Sequence, residues 1–81
     1  MNTKTDIHII IDKREYTVHD EEMTGAALKA LAGIPAGNLL FLEVPGPGED
    51  QQIQNDTIVH LHDGEHFYDM PPGTFGDRRK R

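Results

Sequence analysis

The sequence contains neither cysteine nor serine. Without cysteine there is no disulfide, no thiolate nucleophile and no thiolate metal site. Without serine, a Ser-His-Asp hydrolase is excluded. No apolar run approaches the roughly 18 residues that a membrane span needs. The first six residues, Met1-Asn2-Thr3-Lys4-Thr5-Asp6, carry no apolar signal region. A cytoplasmic chain with no membrane partner is therefore expected. With 81 residues and 36% apolar side chains, one small domain can form, built on a thin core between a sheet and a short helix.

Basic residues are also scarce, and half of the eight sit in the last four positions. Residues 77–81 carry four basic groups and one acid, a net of +3, whereas residues 1–76 carry four basic against 13 acidic groups, a net of −9. A body this acidic repels phosphate backbones, so no nucleic-acid partner is expected. The Arg78-Arg79-Lys80-Arg81 cluster reads as a solvated end.

Ile7, Ile9 and Ile11 alternate with His8, Ile10 and Asp12, and Tyr16 and Val18 resume the alternation after a polar turn at residues 12–15. This predicts a β-hairpin, ended by Asp20-Glu21-Glu22. Residues 23–35 read as a short helix. Thr24 caps it, Met23 and Leu28 form a staple, Gly33 ends it and Pro35 prevents its resumption. Ala27, Leu28 and Leu31 are its expected buried stripe. A strand follows over residues 39–44, with Leu40, Leu42 and Val44 on one face. After a Pro/Gly loop come a short strand at residues 51–53, a turn at Asn55-Asp56, and a strand over residues 58–62 with Val59 and Leu61 inward. Asp63-Gly64 signals a tight turn into a short last strand, residues 65–68. Hairpin, helix, then further strands is the order of an α+β β-grasp fold: one helix across a mixed sheet of four to five strands.

Five histidines invite a metal reading, because His60 and His62 leave one face of a strand. No third ligand is fixed by spacing, although His66 and His8 are candidates, and no metal is expected. Asp20-Glu21-Glu22 and Glu49-Asp50 lack the spacing and glycine of a calcium loop. Gly46-Pro47-Gly48 lacks the lysine and helix of a phosphate loop. A cleft for paired carboxylates is not expected in so small a body. Neither an enzyme nor a cofactor is expected.

The tail is more informative. Phe67-Tyr68 closes the last strand, and Pro71-Pro72 bias the chain beyond it towards an extended conformation. From Tyr68 to Gly76 an extended chain reaches roughly 26–29 Å. Gly76 has no Cβ, so its carbonyl can enter a narrow active site. On the open face of the sheet, Phe41 points away from Leu40 and Leu42 and adds to an apolar contact patch.

Residues 7–12, Tyr16, Met23-Thr24-Gly25 with Leu28, Leu31-Ala32-Gly33-Ile34, residues 40–44, and Asp63-Gly64 with Phe67-Tyr68 and Pro71-Pro72 together resemble the bacterial multi-ubiquitin domains. These are ubiquitin-like β-grasp proteins encoded beside predicted activating, conjugating and deconjugating enzymes. The resemblance covers about residues 7–76. It implies a disordered stretch at residues 1–6, a domain at 7–69, an extended arm at 70–76 and a basic tail at 77–81 that processing removes. It further implies a protein modifier made as a precursor, with a setting in stress or anti-phage defence. A peptidase would trim it to a glycine, an adenylating enzyme would activate the carboxylate with ATP, and a conjugating enzyme would pass it to a target protein. Gly76 is the first choice for the new terminus and Gly73 the second. The candidate partner-binding residues are Phe41, His60, His62, Tyr68, Pro71 and Pro72. The chain lacks a terminal Gly-Gly pair, which also weighs against a sulfur carrier on the same fold. A non-covalent β-grasp interaction module is the alternative reading. Lys4, Lys13, Lys29 and Lys80 are the only lysines that could accept a second copy, so extensive chain formation is not expected.

Overall fold

Residues 7–18 form the hairpin that the alternation predicts. The computed structural model describes residues 6–72. Strands β1 (Ile7–Ile11) and β2 (Arg14–Val18) pair antiparallel, with Ile9 opposite Tyr16 and Ile11 opposite Arg14. Their connection is tighter than the four-residue turn expected. Asp12 and Lys13 alone make it, with φ of 53° and 72°. Two successive left-handed residues match the right-handed twist of the flanking strands.

The acidic stretch does not simply end the hairpin. Glu22–Thr24 form a short strand, β3, leading directly into helix α1 (Gly25–Ala32). Thr24 caps the helix, its Oγ1 accepting from the Ala27 N–H at 3.1 Å. Two more of the free N–H groups at this end find partners in a distant turn. Gly25 N–H donates to the Thr57 carbonyl and Ala26 N–H to the Asn55 carbonyl, each at 3.0 Å. At the other end Gly33 adopts φ 73°, and Ile34 N–H reaches back to the Lys29 carbonyl at 2.8 Å. Thr24 and Gly33 thus close the two ends as the sequence predicts, and the distant turn adds two partners that it does not. The buried stripe is different. Leu28 is buried and Ala27 half-buried, but Leu31 is 37% exposed, and the buried place is taken by Lys29. An eight-residue helix crossing a sheet buries only a narrow arc, and Leu31 falls outside it.

Strand β4 (Leu39–Leu42) places Leu40 in the core, and β5 (Gln51–Ile53) pairs with it antiparallel. Strand β6 (Ile58–His60) pairs with β3, forming a separate two-stranded sheet. The Asp63-Gly64 turn therefore does not close a hairpin. Gly64 N–H donates to the His8 carbonyl at 2.7 Å and Ile10 N–H to the Glu65 carbonyl at 2.8 Å. These bonds steer the last strand, β7 (His66–Met70), into a parallel pairing with β1, while its other edge pairs antiparallel with β4. The main sheet has the order β2-β1-β7-β4-β5. One short helix on a mixed five-stranded sheet is a ubiquitin-like β-grasp.

Ile7, Ile9, Ile11, Val18, Leu28, Leu40, Ile53, Val59, Leu61 and Phe67 form the core. Among the described residues, no helix is long and apolar enough to cross a membrane.

The Thr24-Gly25 pair has a steric reason as well as a capping one. A Cβ on Gly25 would lie 2.1 Å from the Gln54 carbonyl oxygen, a backbone atom that the 54–57 turn holds in place. Gly25→Ala is expected to destabilise the fold by about 2–3 kcal/mol. Urea denaturation measures this, and an unchanged midpoint would mean that the turn does not press on the helix in solution.

Candidate functional site

Cross-strand register brings two predicted contact residues together. Phe41 on β4 lies opposite Tyr68 on β7, and their rings stack with centroids 5.3 Å apart and planes 12° from parallel. Leu39 lies opposite Met70 on the same face, because it is two residues from Phe41 as Met70 is from Tyr68. All four are half-buried. Ile10, between the inward Ile9 and Ile11, lies on this face of the neighbouring strand. Leu39, Met70 and Ile10 were not among the residues singled out from the sequence, although the two-residue period that placed Phe41 places them too.

Asp50, in the loop before β5, holds this face at one edge. Its Oδ2 accepts from the Tyr68 hydroxyl at 2.5 Å and its Oδ1 from the Val44 N–H at 3.0 Å. The Tyr68 bond, and after it the Val44 bond, holds the Asp50 carboxyl below its ordinary range. The same Tyr68 bond, with some burial, pushes the phenol up to about 12. The sign is different at each end. For Tyr68, whose native pKa is raised, the stabilisation is complete below the ordinary phenol pKa of 10.0 and is lost as pH rises through about 12. For Asp50, whose native pKa is lowered, it is present above the ordinary carboxylate range and is lost as pH falls through the lowered value. The contact therefore holds across neutral pH.

A second polar group lies where the chain leaves the sheet. Asp69 N–H donates to Asp12 Oδ1 at 3.1 Å, and Asn38 Nδ2 donates to Asp69 Oδ2 at 2.8 Å. Burial, then the neighbouring Asp69 carboxyl, raises Asp12, whereas the Asp12 and Asn38 hydrogen bonds lower Asp69. Beneath this pair lies Lys29, 5% exposed, whose Nζ donates to the Ala36 carbonyl at 3.0 Å, the Asn38 carbonyl at 2.5 Å and Asn55 Oδ1 at 2.7 Å. All three ammonium protons are used. Lys29 is thus removed from the lysines that could accept a second copy. A helical lysine in an acidic chain reads as solvated, and only the loops closing over it bury it.

Of the four remaining candidates, His60 and His62 lie elsewhere. His60 is on the two-stranded sheet with Nδ1 3.3 Å from Glu22, and His62 follows the strand with Nδ1 3.5 Å from Glu65. His8 and His19 likewise face Asp63 and Asp6. Among the described residues no three such groups converge on a metal-sized site. Pro71 and Pro72 follow β7 directly and are exposed. Gly73 and Gly76 lie outside the described residues.

Two outcomes test these contacts. Tyr68→Phe removes the larger cause of the low Asp50 pKa, so that carboxyl should titrate closer to its ordinary range by NMR. An unmoved Asp50 would show the bond to be absent in solution. Lys29→Met leaves three acceptors without their donor and should cost about 3 kcal/mol in chemical denaturation, with an effect under about 1 kcal/mol counting against the buried network.

Comparison with curated proteins and with solved structures returns no match. The family model for multiubiquitin matches residues 7–68. That span runs from the first residue of β1 to Tyr68 on β7, taking in the helix and reaching every strand of both sheets. This β-grasp chain belongs to the multiubiquitin family.

Proposed function

We propose that the chain is a ubiquitin-like protein modifier, made as a precursor and attached to target proteins through a C-terminal glycine. It serves as the substrate of other enzymes rather than as a catalyst. One observation beside family membership carries the reading. The strand that precedes the tail is central, with β1 on one edge and β4 on the other. Its last residue, Met70, leads straight into exposed Pro71-Pro72. A pull on the tail therefore bears on a strand paired on both edges, and the prolines bias the chain towards an extended conformation.

In this reading a peptidase removes residues 77–81 and exposes the Gly76 carboxylate. An adenylating enzyme activates that carboxylate with ATP, and a conjugating enzyme transfers it to an amine. Gly73 is the second choice for the terminus. The enzymes belong to a bacterial ubiquitination-like system acting in the cytoplasm, with stress or anti-phage defence as its setting.

A second reading, a non-covalent interaction module, is favoured by the stacked Phe41–Tyr68 pair and the half-buried Leu39 and Met70 beside it. Sheet-face patches of this kind serve partner binding.

Incubation of the full chain with its operon's peptidase should yield a species ending at Gly76 or Gly73 by intact mass. Gly76→Trp should block processing or conjugation while leaving the folded body unchanged by circular dichroism. Conjugation of an untrimmed chain would sink the precursor claim. Activity that survives deletion of residues 74–81 but not Phe41→Ala would favour the interaction module.

A further inference from the structure

Residues 73–81 follow the last described residue, Pro72. They carry one aromatic ring, Phe75, then one acid, Asp77, then four basic side chains. The body offers a groove of the opposite pattern. Where β4 ends beside the start of β7 lies a cavity of about 470 Å³, lined by apolar Leu42, Val44 and Pro45 and by the acidic Glu43, Asp63 and Glu65. It shares Glu43 and His66 with a second cavity of about 360 Å³, which continues the groove to Lys13 and Tyr68. Backbone bonds fix its walls. Glu43 N–H donates to the His66 carbonyl at 2.8 Å, and Val44 N–H to Asp50 Oδ1 at 3.0 Å. Among the described residues, neither the Glu43 carboxylate nor the Lys13 ammonium has a hydrogen bond or an ion pair.

We propose that residues 74–81 dock back along this groove on their own domain, so that the basic end of the chain closes the outer face of the sheet. The inference goes beyond the modifier reading and does not depend on it. Pro72-Gly73 is a turn signal, since proline sets the first central φ of a type II turn and glycine takes the positive φ of the second. A reversal there returns the chain antiparallel to β7. Counted residue against residue, Phe75 meets Met70, Asp77 meets Tyr68, and Arg78-Arg79-Lys80-Arg81 meet Phe67-His66-Glu65-Gly64.

Each position then finds its complement. The Phe75 ring covers Met70 and Leu39, beside the stacked Phe41–Tyr68 pair. Asp77 comes to Lys13 in the cavity that Tyr68 lines. The four basic groups reach Glu43, Glu65 and Asp63, while their apolar stems cover Leu42 and Val44. Distance is no obstacle. The way back from Met70 to His66 is roughly 13 Å, and residues 74–81 span roughly 26–29 Å when extended. Exposed ion pairs are individually weak, but a short tether presents the tail to its groove at an effective concentration on the order of mM. Removal of residues 77–81 takes away the charges that hold the tail and opens the face.

Amide NMR spectra of the full chain and of a chain ending at Gly76 test this. Loss of residues 77–81 should shift the amides of Glu43, Val44 and residues 63–68, leave helix α1 unmoved, and do so at every protein concentration. Glu43→Arg, an exposed substitution whose folding circular dichroism checks, should move the amides of residues 63–66 in the full chain to their truncated positions. Shifts that are absent, or confined to the surface bearing His19 and His60, overturn the proposal. Shifts that grow with protein concentration assign the tail to a second copy and overturn it as well. All are read on the isolated chain, so the modifier reading stands in either case.

Discussion

A single ammonium group organises the helix side of this domain. Lys29 is drawn into the interior because the chain reversal after the helix and the turn at residues 54–57 close over it, each turning acceptors inward. The carbonyls of Ala36 and Asn38 and the side chain of Asn55 meet at its Nζ. Burial of a charge is tolerable only when every proton has a partner, and here each one does. The same 54–57 turn supplies the carbonyls for the first helical N–H groups and presses on Gly25 so closely that no side chain fits. Two grips on one short helix offset what an isolated eight-residue helix lacks in stability.

The network continues to the root of the tail. Asn38 accepts from Lys29 through its carbonyl and donates through its side chain to Asp69, which in turn donates its N–H to Asp12 in the hairpin turn. Helix, hairpin and last strand are thereby joined at the edge of the core where the chain leaves the sheet. With β7 paired on both edges, the strand before the tail is held by backbone bonds and by this polar chain together.

The outer face of the sheet is built by a different interaction. Phe41 and Tyr68 stack across β4 and β7, and Asp50 fixes the Tyr68 hydroxyl from the loop that the Pro-Gly segment forms. The outer face thus combines a rigid aromatic pair, a polar rim and flanking Leu39 and Met70. Lys13 looks onto a cavity that shares Tyr68 with this face. Lys13 and Tyr68 are neighbours there, although they come from opposite ends of the chain.

Much of this was legible in the residues. Period-two alternation determined the hairpin, the inward faces of β1, β4 and β6, and the outward place of Phe41. Thr24, Gly33 and Pro35 determined both ends of the helix, because capping depends on neighbours within one turn of the chain. Strand order, the β3–β6 sheet and the parallel seat of β7 were not legible, since pairing is decided by which edges meet after collapse. Asp63-Gly64 shows the limit well: the local signal for a tight turn was correct, but the bonds to His8 and Ile10 decided where the chain went next. Lys29 and Lys13 differ little as letters, one in a helix and one in a turn. Only the tertiary structure set them apart, by closing three acceptors around one and leaving the other at a hairpin tip, because solvation of a charge depends on what folds over it.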